Sequence, residues 1–119
     1  MAAENRSFLF LQGPHGPFFH RLGQMLRAAG ADVRRVGFNQ GDSAFWHHRP
    51  SYIPYRGTVE DWPARFTELL ERHHTTDIVL YGDTRPIHAS AVEIARARGL
   101  RVHVFEEGYL RPYWVTYER

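Results

Sequence analysis

Four short apolar runs alternate with three amphipathic helical patterns along this chain, and this alternation restricts the fold more than any other feature. The runs lie near residues 7–11, 33–37, 77–81 and 101–106. Each has the length of a strand, and the segments between them repeat apolar residues at helical spacing. Strands that alternate with helices usually form parallel sheets with right-handed crossovers. We therefore predict a Rossmann-like α/β fold with about four parallel strands and helices on both faces of the sheet.

The helical patterns predict where the covering helices begin and end. The three predicted helices run from about Phe18 to Gly30, from Thr58 to His73 and from Pro86 to Gly99. Asp61 lies near a capping-box position of the second helix. Residues 37–57 show no clear periodicity, so we expect a long loop there, and loops of this length in small domains are often functional.

Size and composition indicate one globular domain over residues 1–119. The chain is 43% hydrophobic and 24% charged, which is ordinary for a folded protein and argues against disorder. The formal net charge is only +2 and there is no basic run, so the sequence gives no indication of a nucleic-acid partner. The chain contains no cysteine, which excludes a disulfide framework, a thiolate nucleophile and a cysteine-based zinc site.

No apolar run approaches the length of a membrane span. The first residues also lack the charged and apolar regions of a signal peptide. From these patterns we expect a cytoplasmic location.

Two turn motifs at strand ends are candidates for ligand contact. Gln12-Gly13-Pro14 follows the first predicted strand, and Tyr81-Gly82-Asp83 ends the third. The carboxyl ends of parallel strands face the ligand crevice of an open α/β sheet, and helix N-termini attract anions. Both motifs also have a purely structural interpretation, a tight turn for the first and a helix cap at Asp83 for the second. The spacing does not match the dinucleotide fingerprint G-x-G-x-x-G.

A pair of carboxylates ends the fourth predicted strand. Glu106 and Glu107 run directly into Gly108. Side chains of adjacent strand residues point to opposite sides, so only one of the two should face the crevice. Partial burial at a strand end raises a carboxyl pKa and suits a general base. The alternative is a solvated acidic turn or a salt bridge to Arg111.

The histidine pairs His47-His48 and His73-His74 do not have the spacing of a metal site. Neighbouring histidines diverge, and no H-x-x-x-H or H-E-x-x-H motif occurs. We therefore expect no bound metal.

The strand-end residues resemble the capsule polysaccharide biosynthesis/export family, which includes the β-Kdo transferases of Gram-negative capsule assembly. The resemblance extends through nearly the whole chain, and the Glu-Glu-Gly-Tyr-x-Arg-Pro stretch is its most specific part. The similar stretches are Phe8 to Pro14 with Phe18-Phe19, Gly37 to Asn39 with Gly41-Asp42, Tyr81 to Asp83, and Phe105 to Pro112.

This resemblance implies one half of a GT-B-type glycosyltransferase, in which two Rossmann-type halves enclose a crevice. Enzymes of this family move Kdo from the donor CMP-Kdo to a lipid-linked acceptor at the cytoplasmic face of the inner membrane, and no cofactor is implied. The Glu-Glu-Gly motif is also similar to that of bacterial GT-B sialyltransferases, whose first acid is the base. The catalytic role would then fall on Glu106. The residues expected to line the substrate cleft are Gln12, Gly13, Asp83, Glu107, Gly108 and Arg111.

The resemblance also implies what this chain lacks. The His-Pro nucleotide motif of such enzymes belongs to the C-terminal half, and no His-Pro dipeptide occurs here. We therefore expect an N-terminal, acceptor-side half that is inactive alone. Its expected partners are the C-terminal half, a second copy of the chain and other capsule assembly proteins. The alternative is a non-catalytic Rossmann-like module of polysaccharide export that binds glycan or partner proteins.

Overall fold

The apolar runs form the strands of one sheet. The computed structural model describes residues 5–11, 18–38, 49–81 and 86–105 and the backbone of residues 113–114. Within these residues the strands are β1 (Ser7–Phe10), β2 (Asp32–Gly37), β3 (Tyr52–Pro54), β4 (Asp77–Tyr81), β5 (Arg101–Phe105) and β6 (Tyr113–Trp114).

The sheet has the strand order of a Rossmann-like fold. Its described strands are arranged β3-β2-β1-β4-β5-β6. The first five pair in parallel, and β6 is antiparallel to β5. In particular, β4 and β5 are parallel, with Asp77 opposite Arg101 and Tyr81 opposite Phe105. The predicted Rossmann-like α/β fold is thus confirmed.

Among the described residues, three helices connect and cover these strands. They are α1 (Phe18–Ala28), α2 (Trp62–Arg72) and α3 (Pro86–Ala97). Pro86 suits the first turn of α3 because that position needs no backbone N–H donor. Gly99 follows α3 with a φ of 76°, a left-handed conformation that glycine adopts without strain.

The core is divided between the two faces of the sheet because strand side chains alternate. On one face, Phe8, Phe10 and Val33 pack with Phe19 of α1. On the other face, β-strand residues pack with α2 and α3 in a larger cluster that includes Leu9, Val36, Trp62, Phe66, Leu80, Ala91 and Val104. Helices therefore lie on both faces, as the apolar periodicity predicts.

The structure differs from the sequence-based expectation in strand number. About four strands were expected, whereas β3 and β6 extend the sheet to six strands among the described residues. β3 lies in the segment expected to be a loop, and it follows a 3₁₀ turn at Arg49–Ser51. Its three residues show no alternation, and Pro54 is tolerated because the strand lies at the sheet edge.

The start of α2 also differs from the expectation. This helix begins at Trp62 rather than at Thr58. The Thr58 hydroxyl accepts a hydrogen bond from the Asp61 backbone N–H at 3.0 Å, which forms a turn ahead of the helix. Asp61 occupies the N-cap position but makes no side-chain capping hydrogen bond.

Candidate functional site

Three neighbouring parallel strands end at the same edge of the sheet. β1 lies between β2 and β4, and β4 pairs with β5. The Leu11 backbone N–H donates to the Val79 carbonyl at 2.8 Å, so pairing of β1 with β4 continues one residue beyond β1. The strand order changes direction between β1 and β4, and ligands bind at such switch points in open α/β sheets. This carboxyl edge is therefore the candidate site.

The sequence-predicted site residues directly follow these three strands. Gln12 and Gly13 follow β1, and Asp83 follows β4. The remaining candidates follow β5: Glu106, Glu107, Gly108 and Arg111. All seven lie outside the described residues, so their side-chain positions remain predictions. Neighbouring strands are about 4.8 Å apart, which puts the ends of β1 and β5 roughly 10 Å from each other.

Two helices that start at this edge, α1 and α3, have no acidic residue in their first turns. α2 differs because Asp61 occupies its N-cap position. A helix N-terminus has partial positive charge, which an acidic side chain in the first turn would otherwise compensate. The edge therefore favours an anionic ligand.

On the α1 face, an aromatic cluster holds the end of β5. The rings of Phe18 and Phe105 meet edge-on with centroids 5.4 Å apart, and Phe19 lies 6.2 Å from Phe105. Phe10, at the end of β1, contacts Phe19 at 5.1 Å. Phe105 immediately precedes Glu106, so these contacts fix the strand position from which the Glu-Glu-Gly motif departs.

On the opposite face, Trp62 joins the first turns of α2 and α3. Its ring is fully buried and lies 5.1 Å from Phe38 and 4.9 Å from Tyr55. The indole N–H donates to the backbone carbonyl of Ile87 at 3.0 Å. The two helix starts are thereby held together beside the candidate site.

A buried ionic cluster lies toward the opposite, amino edge of the sheet. Arg6 donates to both oxygens of Asp77, from Nε at 3.0 Å and from Nη2 at 2.7 Å. His103 Nε2 lies 2.7 Å from Asp77 Oδ2, and the Thr76 hydroxyl donates to Oδ1 at 2.6 Å. Burial alone raises the pKa of Asp77, but the hydrogen bonds from His103, Arg6 and Thr76 outweigh it and hold that pKa well below its ordinary value.

Neither this cluster nor the buried His88 was predicted from the sequence. Asp77 and His103 are 26 residues apart, so their contact follows from strand register and has no local sequence signal. His88 is 1% exposed in the first turn of α3. Its signal was available, since His88, Ala91 and Ala95 are spaced as one helix face.

The described residues contain neither a metal-ligand cluster nor a membrane-spanning helix. In the ranges 5–11, 18–38, 49–81 and 86–105, no three histidine, aspartate or glutamate side chains group as metal ligands would. Among the same described residues, none of the helices has both the length and the apolar character needed to span a bilayer.

Comparison with known proteins identifies the family. Residues 76–119 match a family model described as capsule polysaccharide biosynthesis protein. The capsule polysaccharide export protein KpsS of Escherichia coli is 39% identical over 113 residues, which is 95% of this chain. The capsule polysaccharide modification protein LipB of Neisseria meningitidis, from serogroups A and B, is 39% identical over 119 residues, 99% of this chain. The chain belongs to the capsule polysaccharide biosynthesis family.

The chain spans only part of these relatives. It covers 29% of the length of KpsS and 28% of the length of LipB. Among solved structures, UDP-GlcNAc 2-epimerase from Methanocaldococcus jannaschii superimposes with a TM-score of 0.63 at 15% identity. That match covers 87% of this chain and 32% of the epimerase. It supports the Rossmann-like fold of this capsule polysaccharide biosynthesis domain.

Proposed function

We propose that this chain forms the N-terminal, acceptor-side half of a GT-B-type glycosyltransferase. The full enzyme would transfer Kdo from CMP-Kdo to a lipid-linked acceptor during capsule polysaccharide assembly. The observation that supports this proposal most is the 39% identity to capsule polysaccharide proteins over nearly the whole chain. The second half would provide the donor site, since the chain has no His-Pro motif.

The proposed roles follow from the sheet edge. Glu106 would accept the proton of the acceptor hydroxyl, because it follows the strand end that Phe18 and Phe19 hold. Gln12, Gly13 and Asp83 would line the cleft. Helix N-termini without acidic first turns would favour the anionic groups of donor and acceptor.

Three residues after β5 complete the proposed site. Arg111 would pair with a sugar carboxylate or a lipid phosphate. Glu107 and Gly108 would contribute to substrate binding beside the base. A lipid-linked acceptor also requires the enzyme to work at the cytoplasmic face of the inner membrane, as a peripheral protein, which membrane fractionation would test.

Substitution of the proposed base is the direct test. Glu106→Gln keeps the shape of the side chain and removes the base, so transfer by the full-length protein should fall by about 10²–10⁴-fold. The assay follows product mass after incubation with CMP-Kdo and a Kdo-terminated lipid acceptor. Folding of the variant is checked by circular dichroism.

Two further variants serve as controls. Glu93→Gln changes an exposed carboxylate of α3 and should leave turnover unchanged. If Glu107→Gln abolishes turnover while Glu106→Gln is nearly normal, the base is Glu107 and not Glu106. Normal turnover in both variants would show that neither glutamate of the Glu-Glu-Gly motif is the catalytic base.

One observation favours a second candidate function. The E. coli relative is named an export protein. The chain would then belong to a non-catalytic module that binds glycan or partner proteins during export. When immobilised on an affinity column, such a protein would retain capsule glycan. It would release no CMP from CMP-Kdo with any acceptor.

A further inference from the structure

Tyr52 directs its phenol hydroxyl from the edge strand β3 toward the carboxyl edge of the sheet. In the register of β3 with β2, Tyr52 lies opposite Arg35, two residues before the end of β2. Its hydroxyl oxygen nevertheless lies at the position that a Cβ atom of Gly37 would occupy, and Gly37 is the last residue of β2. The ring therefore extends along β2, and the hydroxyl lies where that strand ends.

Tyr81 ends β4 on the same face of the sheet. Both tyrosines are half-buried, and both pack against the cluster of Phe8, Phe10 and Phe19 on the α1 face. β1 is the strand between β2 and β4, and β2 and β4 are about 10 Å apart. The carboxyl edge therefore carries one tyrosine on each side of the end of β1.

Positive charge lies behind this pair of tyrosines. The Arg35 side chain is 2% exposed, and its guanidinium carbon lies 5.8 Å from the centroid of the Phe19 ring in α1. α1 itself contains no acidic residue between Phe18 and Ala28. A guanidinium keeps its charge when it is buried, and salt screens a buried charge much less than a surface charge. The field of Arg35 therefore favours a negatively charged ligand on this side of the carboxyl edge.

We infer that Tyr52 and Tyr81 bind the hydroxyl groups of an acidic saccharide at the carboxyl edge. A tyrosine offers an apolar ring and a hydroxyl that both donates and accepts, which suits the C–H face and the hydroxyl groups of a pyranose. Such a hydroxyl binds a ligand while it keeps a contact within the protein. The charge of Arg35 favours a sugar that carries a carboxylate. The inference rests on the proposed function, in which the acceptor glycan lies at this edge.

Binding measured without turnover tests the inference in the full-length protein. The probe is a soluble Kdo disaccharide, titrated by calorimetry in the absence of lipid and of CMP-Kdo. Tyr52→Phe removes only the hydroxyl, so the dissociation constant should rise by about 3–10-fold. Tyr81→Phe should have an effect of similar size. Circular dichroism checks that both variants keep the wild-type fold.

Tyr55→Phe is the matched control. Tyr55 packs against the cluster on the opposite face of the sheet, and its hydroxyl donates to the Thr58 carbonyl at 2.6 Å. This variant should bind the disaccharide as the wild type does. Unchanged affinity in Tyr52→Phe would overturn the inference, and so would an equal loss in Tyr55→Phe. Absence of disaccharide binding by the wild type would overturn it as well.

Fluorine NMR locates the contact. In full-length protein with 3-fluorotyrosine at position 52, the ¹⁹F signal should move on titration with the disaccharide, whereas the signal from the same label at position 55 should not. A response of position 52 to inorganic phosphate, with none to the disaccharide, would overturn the assignment of a saccharide. If the disaccharide binds and position 52 responds but no Kdo is transferred from CMP-Kdo, the contact stands and only the proposed transferase function fails.

Discussion

Among the described residues, Asp77 joins parts of the chain that are far apart in sequence. It is completely buried, and it binds Arg6 ahead of β1 and His103 within β5. Removing one partner of a buried ion pair leaves an uncompensated charge, which is why such losses are large even when the intact pair adds little net stability. The carboxylate of Asp77 therefore links three adjacent strands.

We expect Asp77→Ala to lower the free energy of unfolding by about 3 kcal/mol or more, since Arg6 and His103 lose their shared partner. Urea denaturation measures the change. Asp32→Ala removes an exposed carboxylate that pairs with Arg34, and its cost should stay below about 1 kcal/mol. Equal costs for the two variants would contradict the linking role of Asp77.

The same residue predicts the acid sensitivity of the fold. The pKa of Asp77 is lower in the folded chain than its ordinary value. Its ionised form therefore stabilises the native state fully above about pH 4, and that contribution disappears as the pH falls toward the folded-state pKa. Urea unfolding from pH 5 to pH 2 should show a shallower loss for Asp77→Asn than for the wild type. Parallel curves would exclude Asp77 as the source.

At the scale of elements, the side chain of Tyr52 in β3 lies close against Gly37 of the paired strand β2. A Cβ atom at Gly37 would lie 1.6 Å from the Tyr52 hydroxyl oxygen and 2.2 Å from ring carbon Cζ. These distances are far inside van der Waals contact. The phenol therefore occupies the space that any other side chain at position 37 would need.

Gly37→Ala should displace the Tyr52 ring and lower the free energy of unfolding by about 1–3 kcal/mol. In a Tyr52→Ala background the same substitution should cost much less, because the clashing ring is absent. The four stabilities form a double-mutant cycle, measured by thermal or urea unfolding. Additive effects would show that the ring does not restrict position 37.

Local patterns predicted most elements and the parallel sheet, but not the side-chain contacts between residues far apart in sequence. The strands at 7–10, 32–37, 77–81 and 101–105 stood out because apolar runs end at glycine, proline or polar residues. β3 was overlooked because its pairing with β2, and not its three-residue sequence, makes it a strand. The start of α2 was misplaced because Thr58 forms a turn through its hydroxyl rather than a helix cap.

The candidate site was predicted less completely than the fold. The glycine, proline and polar residues that follow the apolar runs indicated the strand ends at the carboxyl edge. His88 was overlooked, although it shares one helix face with Ala91 and Ala95, because a histidine adds nothing to an apolar pattern. Side-chain positions of Glu106 and the other strand-end candidates lie outside the described residues and stay predictions.

At the scale of the whole molecule, the dimensions are those of an independently folding domain. The radius of gyration is 13.2 Å, close to the roughly 13.5 Å that a compact domain of this length has. We therefore expect the 119-residue chain to fold alone and to show cooperative unfolding. Under the proposed function it should transfer no Kdo, because the proposed donor half would carry the His-Pro motif that this chain lacks. Circular dichroism and a CMP-Kdo turnover assay on the isolated chain test both parts.

The surface that would meet the second half should cause self-association of the isolated chain. The aromatic residues predicted to contribute are Tyr109, Tyr113, Trp114 and Tyr117, whose side chains lie outside the described residues. Light scattering should detect dimers or larger species. A strictly monomeric fragment with full transferase activity would contradict the half-enzyme proposal.

The position of the Asp77 cluster has an evolutionary consequence. Its hydrogen bonds join β4 and β5 to the residue that precedes β1, away from the loops that follow these strands. Substitutions in those loops do not touch this cluster, so they can accumulate without loss of the stability that the cluster provides. Under the proposed function, preference for a sugar or an acceptor could then change at the carboxyl edge without loss of the contacts at the amino edge. Descendants of such a domain would diverge in chemistry long before they diverge in architecture.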